Sequence, residues 1–251
     1  MSIPETPSLA LQRNRNYHLP HEQSAALTGV SLRLSLFTPV DALRQRMGLA
    51  GPAPDLGKHY NIAPGQEVAV LVERQGSVRL AHRTWGLIPA NAHHAAVGAG
   101  LYQVRRESLL ELAAMRERLE QRRCAVLADG FFLWQESPDG AQPWYIYLAS
   151  REPFALAALW ELWAPARKDP IRSCTIVTAP ANQRVAPIHQ RMPVILAGEA
   201  LATWLDSGIR EPDALLPLCR PYLGKDLEAH KVGLQVENEQ HDSLDVIDPI
   251  L

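Results

Sequence analysis

Two short runs hold the side chains best suited to chemistry. His189 stands in Ala186-Pro-Ile-His-Gln-Arg-Met-Pro193, and Gln103-Val-Arg-Arg-Glu-Ser108 carries two adjacent arginines. An imidazole can pass protons near neutral pH, and an arginine fork can grip a phosphate or carboxylate through two parallel hydrogen bonds. Familiar nucleophile and phosphate-loop patterns are missing: there is no GxSxG, GxGxxG, P-loop or HExxH. His18 with His21, and His93 with His94, are close enough to be imagined as metal ligands, but their polar surroundings read as solvated loops. Cys124, Cys174 and Cys219 are far apart, with no CxxC spacing. Neither a disulfide framework nor a zinc site is expected, and a reducing, cytoplasmic setting is the simpler home. No metal and no cofactor is expected.

Charge narrows the choice of partner. The chain has 251 residues and a formal net charge of −2, so it cannot bind duplex DNA through overall charge; any nucleic-acid contact must use a local patch. Of its basic residues only Lys58, Lys168, Lys225 and Lys231 are lysine; the other 21 are arginine, an excess that codon bias explains as readily as phosphate binding. Apolar residues make up 47% and charged residues 21%, which excludes a disordered or fibrous chain. The N-terminus lacks a basic start followed by an apolar core. The longest apolar stretch, Pro153 to Ala166, is interrupted by Glu161 and too short to span a bilayer as a helix. No membrane association is expected, and a monomer is favoured.

Several elements must position these groups. Residues 1–30 are polar and Pro-containing and read as an extension. From Val30 to Leu36 apolar and polar residues alternate as in a half-buried strand. A short helix is predicted over Val40–Met47. Glu67–Glu73 and Val78–Thr84 form a strand pair turned by Gln75-Gly76. Asn91–Gly100 reads as a surface loop. Ser108 and Glu111 have capping-box spacing and open a helix whose face is Leu109, Leu112, Met115 and Leu119, ending near Arg122. Arg116, Arg118, Arg122 and Arg123 interleave with Glu117 and Glu120 as on a solvated helix face. Strands follow at Cys124–Ala128, Phe131–Gln135, Trp144–Leu148, Phe154–Trp160, Thr175–Thr178 and Val194–Leu196, then helices at Glu199–Leu205 and Asp213–Leu218. Strands without βαβ alternation predict an α+β fold: one domain, residues 31–251, with a mostly antiparallel, barrel-like sheet core and flanking helices. Trp85, Trp134 and Cys124 read as core.

His59-Tyr-Asn-Ile-Ala-Pro-Gly65, Trp85-Gly-Leu-Ile-Pro89, Gln103-Val-Arg-Arg-Glu-Ser108, Ala128-Asp-Gly-Phe-Phe-Leu-Trp134 and Ala186-Pro-Ile-His-Gln-Arg-Met-Pro193 occur in that order. Together they resemble the SOS-response-associated peptidase family, the abasic-site processing proteins. Val236-Glu-Asn238 and Asp245-Val-Ile-Asp-Pro249 are similar to that family's ending. The resemblance implies a chemistry. Family members expose a Cys at the mature N-terminus, whose amine and thiol close a thiazolidine on the aldehyde of an abasic site in single-stranded DNA. A Glu and a His transfer protons there, beside an Asn.

Carried over residue by residue, the resemblance places Leu34-Ser35-Leu36-Phe37-Thr38 where the family has Cys-Gly-Arg-Phe-Thr. Leu34 replaces the nucleophile and Leu36 the neighbouring Arg. Gln103 replaces the Asn, Leu133 the catalytic Glu, and Asn91 a tryptophan wedge; His189 matches the family His. Pro64, Arg105, Thr178 and Arg191 match DNA-contacting positions. The implied reading is a diverged, crosslinking-incompetent member with residual affinity for single-stranded or abasic-site DNA. Two alternatives stay open. One is a peptidase or lyase activity rerouted through His189, including autocleavage after Arg33. The other is a protein-interaction module whose cleft is covered by residues 1–30. His189 also reads as a core histidine, and Arg105 and Arg191 as internal ion-pair partners.

Overall fold

Apolar-rich strands, several of them buried on both faces, build two sheets that share one core. The computed structural model describes residues 32–49, 53–138, 140–166 and 168–250. The proposed extension at 1–30, with His18 and His21, lies outside them. The strands are β1 (Arg33–Leu36), β2 (His59–Ile62), β3 (Glu67–Arg74), β4 (Ser77–Trp85), β5 (Gln103–Arg105), β6 (Arg123–Ala128), β7 (Gly130–Gln135), β8 (Gln142–Leu148), β9 (Phe154–Trp163), β10 (Ile171–Pro180), β11 (Arg191–Pro193), β12 (Ile195–Leu196) and β13 (Leu227–Lys231). The α-helices are α1 (Val40–Arg46), α2 (Ser108–Glu111), α3 (Ala113–Gln121), α4 (Glu199–Leu205) and α5 (Pro212–Leu215).

One sheet runs β13-β8-β7-β1-β2, all antiparallel. In the other, β10 pairs with β4 and also with β9, so β10-β4-β3-β6-β9 closes on itself as a five-stranded barrel. The mixed α+β architecture is the one expected. Its sheet is not purely antiparallel, because β10 runs parallel to β4 and β5. The apolar segment after Pro153 is barrel strand β9, and no helix among the described residues is long and apolar enough to cross a membrane.

The expected Gln75-Gly76 turn forms, while several other elements depart from the sequence expectation. Gln75 and Gly76 both have positive φ, 54° and 77°, as a tight hairpin between twisted strands requires. The supposed loop after Asn91 holds a 3-10 turn, Ala95–Gly100, pinned by two contacts. Trp163 donates its indole N–H to the Ala92 carbonyl at 2.8 Å, and a Cβ on Gly98 would lie 2.6 Å from the Gly86 carbonyl oxygen. The capping box does not form. The chain already turns at Arg106 and Glu107, with the Leu109 amide bonded to the Arg106 carbonyl, so Ser108 sits inside the first turn and caps nothing. The single expected helix is two, broken at Leu112, whose extended backbone (ψ 113°) starts α3. Short strands β2, β5 and β13 carry too little alternation to be read from sequence.

The arginine-rich helix face is solvated only in part: Arg116 and Glu117 are exposed, as expected, but two of its arginines are not. Arg118 lies on the buried stripe with Met115 and Leu119, and Arg123 is buried as well. Glu161 on β9, only 3% exposed, pairs with Arg118 at 2.6 Å and also with Arg122. Arg123 spends its guanidinium on the carbonyls of Trp204, Asp206, Ile209 and Leu119. Trp85, Trp134 and Cys124 are core, as expected.

Candidate functional site

Antiparallel partners point to the same face of a sheet, so the β1–β7 register decides which side chains meet. Leu34 lies opposite Phe131, and Ser35 opposite Gly130. With a side-chain period of two, Leu34, Leu36, Phe131, Leu133 and Gln135 therefore share one face. On the other side of β1, Leu34 faces Ile62 of β2. Leu34 and Leu133 both have 0% exposure, and both join the main hydrophobic core. Beside Leu36 a cleft of about 260 Å³ opens, bordered by His59, Glu67 and His82.

The opposite face of this sheet is closed by the C-terminal segment. Asn61 donates its side-chain amide to the carbonyls of Val236, Asn238 and His241 at 3.0, 3.0 and 3.1 Å. Asp242 accepts from the Asn61 amide and from His59. Gly130 leaves room for the Tyr145 ring, which a Cβ would meet at 2.3 Å. These motif residues fix the backbone rather than react.

His189 sits in a compact turn between β10 and β11. Asn182 shapes it by accepting the amides of Arg184 and Val185 at 3.1 and 3.0 Å, a local bond to its own backbone that favours turns. Gln135, two residues beyond Leu133, donates to the Pro187 carbonyl at 2.9 Å and so ties this turn to the end of the leucine face. The Arg191 amide donates to His189 Nδ1 at 3.0 Å. The Arg191 carbonyl oxygen lies 3.0 Å from the same Nδ1, so the Arg191 backbone satisfies Nδ1 in either tautomer and Nε2 is the other ring nitrogen. That Nε2 makes no hydrogen bond among the described residues, and the ring is half-buried.

The remaining predicted positions lie on one ladder. β5 runs parallel to β10, with Gln103 beside Ile176 and Arg105 beside Thr178. Gln103 is buried; Arg105 is exposed. Thr178 is buried, and its hydroxyl meets the Val104 carbonyl and Arg191 Nε. Arg191 is half-buried and held by the protein's own groups. It donates to the Thr178 carbonyl at 2.8 Å and pairs with Glu107 at 2.9 Å. Pro64 is half-buried at the second position of a turn whose third residue, Gly65, has φ 95°, the geometry of a type II turn. The sequence reading missed Gln135, the residue that joins β7 to the histidine turn. It lies just past Ala128-Asp-Gly-Phe-Phe-Leu-Trp134, and nothing in its type marks it. Among the described residues no group of acidic, His or Cys side chains is arranged to hold a metal.

The family model described as SOS response associated peptidase (SRAP) matches residues 31–239. The chain belongs to this family. SRAP relatives include the abasic site processing protein YoqW of Bacillus subtilis, 33% identical over 86% of this chain and 98% of its own length. Another is YedK of Escherichia coli, also an abasic site processing protein, 30% identical over 76% of this chain and 84% of its own. A crystal structure from Bacteroides thetaiotaomicron superposes with a TM-score of 0.77 at 19% identity, covering 87% of this chain and 99% of that one. A second, from Bordetella bronchiseptica, gives 0.67 at 22%, covering 81% and 100%. The two superpositions establish the SRAP fold and nothing more specific.

Proposed function

We propose that this SRAP chain does not trap abasic sites as a thiazolidine and that it keeps a weak site for single-stranded DNA. The observation that carries this reading is the Leu34–Leu133 face: two side chains of carbon and hydrogen, both without exposure, on one side of the β1–β7 ladder. A thiazolidine needs a thiol and a free amine on adjacent atoms. Leu34 offers no sulfur, and its nitrogen is a peptide nitrogen within a chain that continues back through Arg33 and Leu32.

Support for a weak rather than a strong DNA site comes from the arginines. Arg105 is exposed and free to meet a phosphate, whereas Arg191 is spent on Thr178 and Glu107. Thr178 then serves DNA only through Arg191, which it holds. Pro64 stands on a rigid turn as a surface contact for a base, and Gln103 is too deeply set to touch a strand.

The test is incubation with an abasic single-stranded oligonucleotide followed by a denaturing gel. No heat-stable shifted band is expected; a band would overturn the loss of crosslinking. A second reading, strand scission by His189, is favoured by the open Nε2, which could take a proton beside the abasic aldehyde in the tautomer whose Nδ1–H donates to the Arg191 carbonyl. Scission that disappears in His189→Ala would select it. Affinity for the intact oligonucleotide should fall as salt rises, and its absence even at low salt would remove the DNA site.

A further inference from the structure

The leucine face does not end at Leu133. Register carries its row outward across the sheet: Leu133 lies opposite Trp144 of β8, and Trp144 lies opposite Lys231 of β13. Antiparallel partners share a face, so the row runs from a leucine without exposure, through a half-buried indole, to an exposed ammonium. Neither outer member has a role in the site described above.

Trp144 is fixed at its edge. Its indole N–H donates to Gln135 Oε1 at 3.1 Å, while Gln135 Nε2 donates to the Pro187 carbonyl at 2.9 Å. An indole can only donate and a carbonyl can only accept, so one orientation of the Gln135 amide serves both. A single side-chain amide thus joins the indole to the turn that carries His189, two residues beyond Pro187. Lys231 lies over the ring, with Nζ 5.8 Å from its centroid. It makes no ion pair among the described residues. An edge bond holds a ring in place without using its π face, and an unpaired lysine on a flexible stem can swing from that face to a phosphate.

An aromatic platform beside a free cation suits a single strand, because every base has a π face and every nucleotide brings a phosphate. An organic cation would be repelled by Lys231, and a simple carboxylate would leave the ring unused. We propose that Trp144 and Lys231 form a nucleotide subsite beside the His189 turn, in which the indole stacks one unpaired base of a single strand and Lys231 meets the adjoining phosphate. Gln135 is the positioning residue, since it holds the indole and the turn together. The subsite rests on the single-strand reading of this chain and adds a requirement to it: a base close to the nucleotide at His189 must be unstacked. Inside a duplex both faces of that base are already covered by its neighbours.

The probe is a fluorescently labelled, intact single-stranded oligonucleotide of mixed sequence, with the duplex of the same sequence as a second arm. Binding to the full chain is read by anisotropy at low salt. Trp144→Leu is expected to weaken the single strand about tenfold, the loss of one base stack, and Trp144→Phe, which keeps a ring, to recover most of that. Duplex affinity should not change in either. Lys231→Gln should make the log–log salt slope of single-strand binding shallower by about 0.7, the share of one phosphate. A lysine that only packs on the ring would leave that slope alone. Lys231 is exposed, so this variant keeps the test decisive should Trp144→Leu not fold. Arg105→Gln separates the subsite from the reading beneath it. If the wild type binds no single strand at any salt, the DNA reading falls and takes the subsite with it. If the wild type binds, Arg105→Gln weakens it and the Trp144 and Lys231 variants match the wild type, the DNA reading stands and the subsite is overturned. A loss of equal size on single strand and duplex would overturn it as well.

Discussion

Leu34 and Leu133 on the β1–β7 face and Glu161 at the contact between α3 and β9 are all buried, yet the first two are hydrocarbon and the second site brings three charges together. Leu34 and Leu133 have 0% exposure and need nothing from their neighbours but contact area. Glu161 is 3% exposed and survives there because Arg118, Arg122 and the Leu162 amide surround it. Burial pulls the Arg118 pKa below its ordinary value, yet it stays protonated and its charge must be met. A buried charge thus needs its whole set of partners, whereas buried hydrocarbon needs none. At the β1–β7 face Leu34, Leu36 and Leu133 are all hydrocarbon; at α3–β9 the carboxylate and both its arginines are present together.

Removing one member of the network should therefore give the largest effect. Glu161→Leu strands Arg118 in the interior and should cost about 3–5 kcal/mol, the range for breaking a buried pair on one side. Adding Arg118→Met, which also removes the stranded cation, should recover most of that loss. Urea unfolding at pH 7 reads both. If the double variant is no better than the single one, the cost lies in packing rather than in charge.

The converse change on the leucine face comes next. Leu133→Glu returns a carboxyl to a site without a partner and should destabilise the fold by about 3 kcal/mol at pH 7, whereas Leu133→Met should cost less than about 1.5 kcal/mol. Hydrocarbon surroundings raise the folded pKa of such a carboxyl above the unfolded value of about 4.3. The penalty is then small below pH 4 and grows as pH rises through that value. Urea midpoints at pH 4 and pH 7 check this. A penalty that is the same at both, or below about 1 kcal/mol, would mean that water reaches Leu133.

The same contrast marks what could be read from the sequence. Apolar-rich runs bounded by turn residues gave β3, β4, β6, β7 and β8 to within about two residues at each end; β3, β6 and β7 are buried on both faces. The ordered motifs gave the family, and the structure now gives several of them a physical reason: Asn61 clasps the C-terminal segment, Gly130 admits Tyr145, and Gly65 closes a turn. Arg118 and Arg123 look solvated in the sequence because their partners, Glu161 and the carbonyls in and after α4, are distant in the chain. Arg191 shows the same limit. A motif places an arginine on a strand, but only the fold reveals that Thr178 and Glu107 already hold it. Long-range pairing of single polar groups leaves no periodic trace.

Asp242 completes the scale, since its side chain is 31% exposed and its charge is met by the solvent as well as by the protein. Burial works against its charge, but hydrogen bonds from His59 and from the Tyr60 and Asn61 amides outweigh it and hold the carboxyl below the ordinary range. A depressed folded pKa means stability that is present above the unfolded value, near about 3.9, and lost as pH falls through the folded one. Asp242→Asn should therefore be less stable than the wild type at pH 7, by less than about 1 kcal/mol for so accessible a group, and the gap should close below pH 4. The uncharged Asn61 clasp does not titrate, so the C-terminal segment should stay docked while the gap closes. Urea midpoints for both proteins from pH 7 to pH 3 measure it, and a gap that stays constant would assign the Asp242 contribution to geometry rather than to charge.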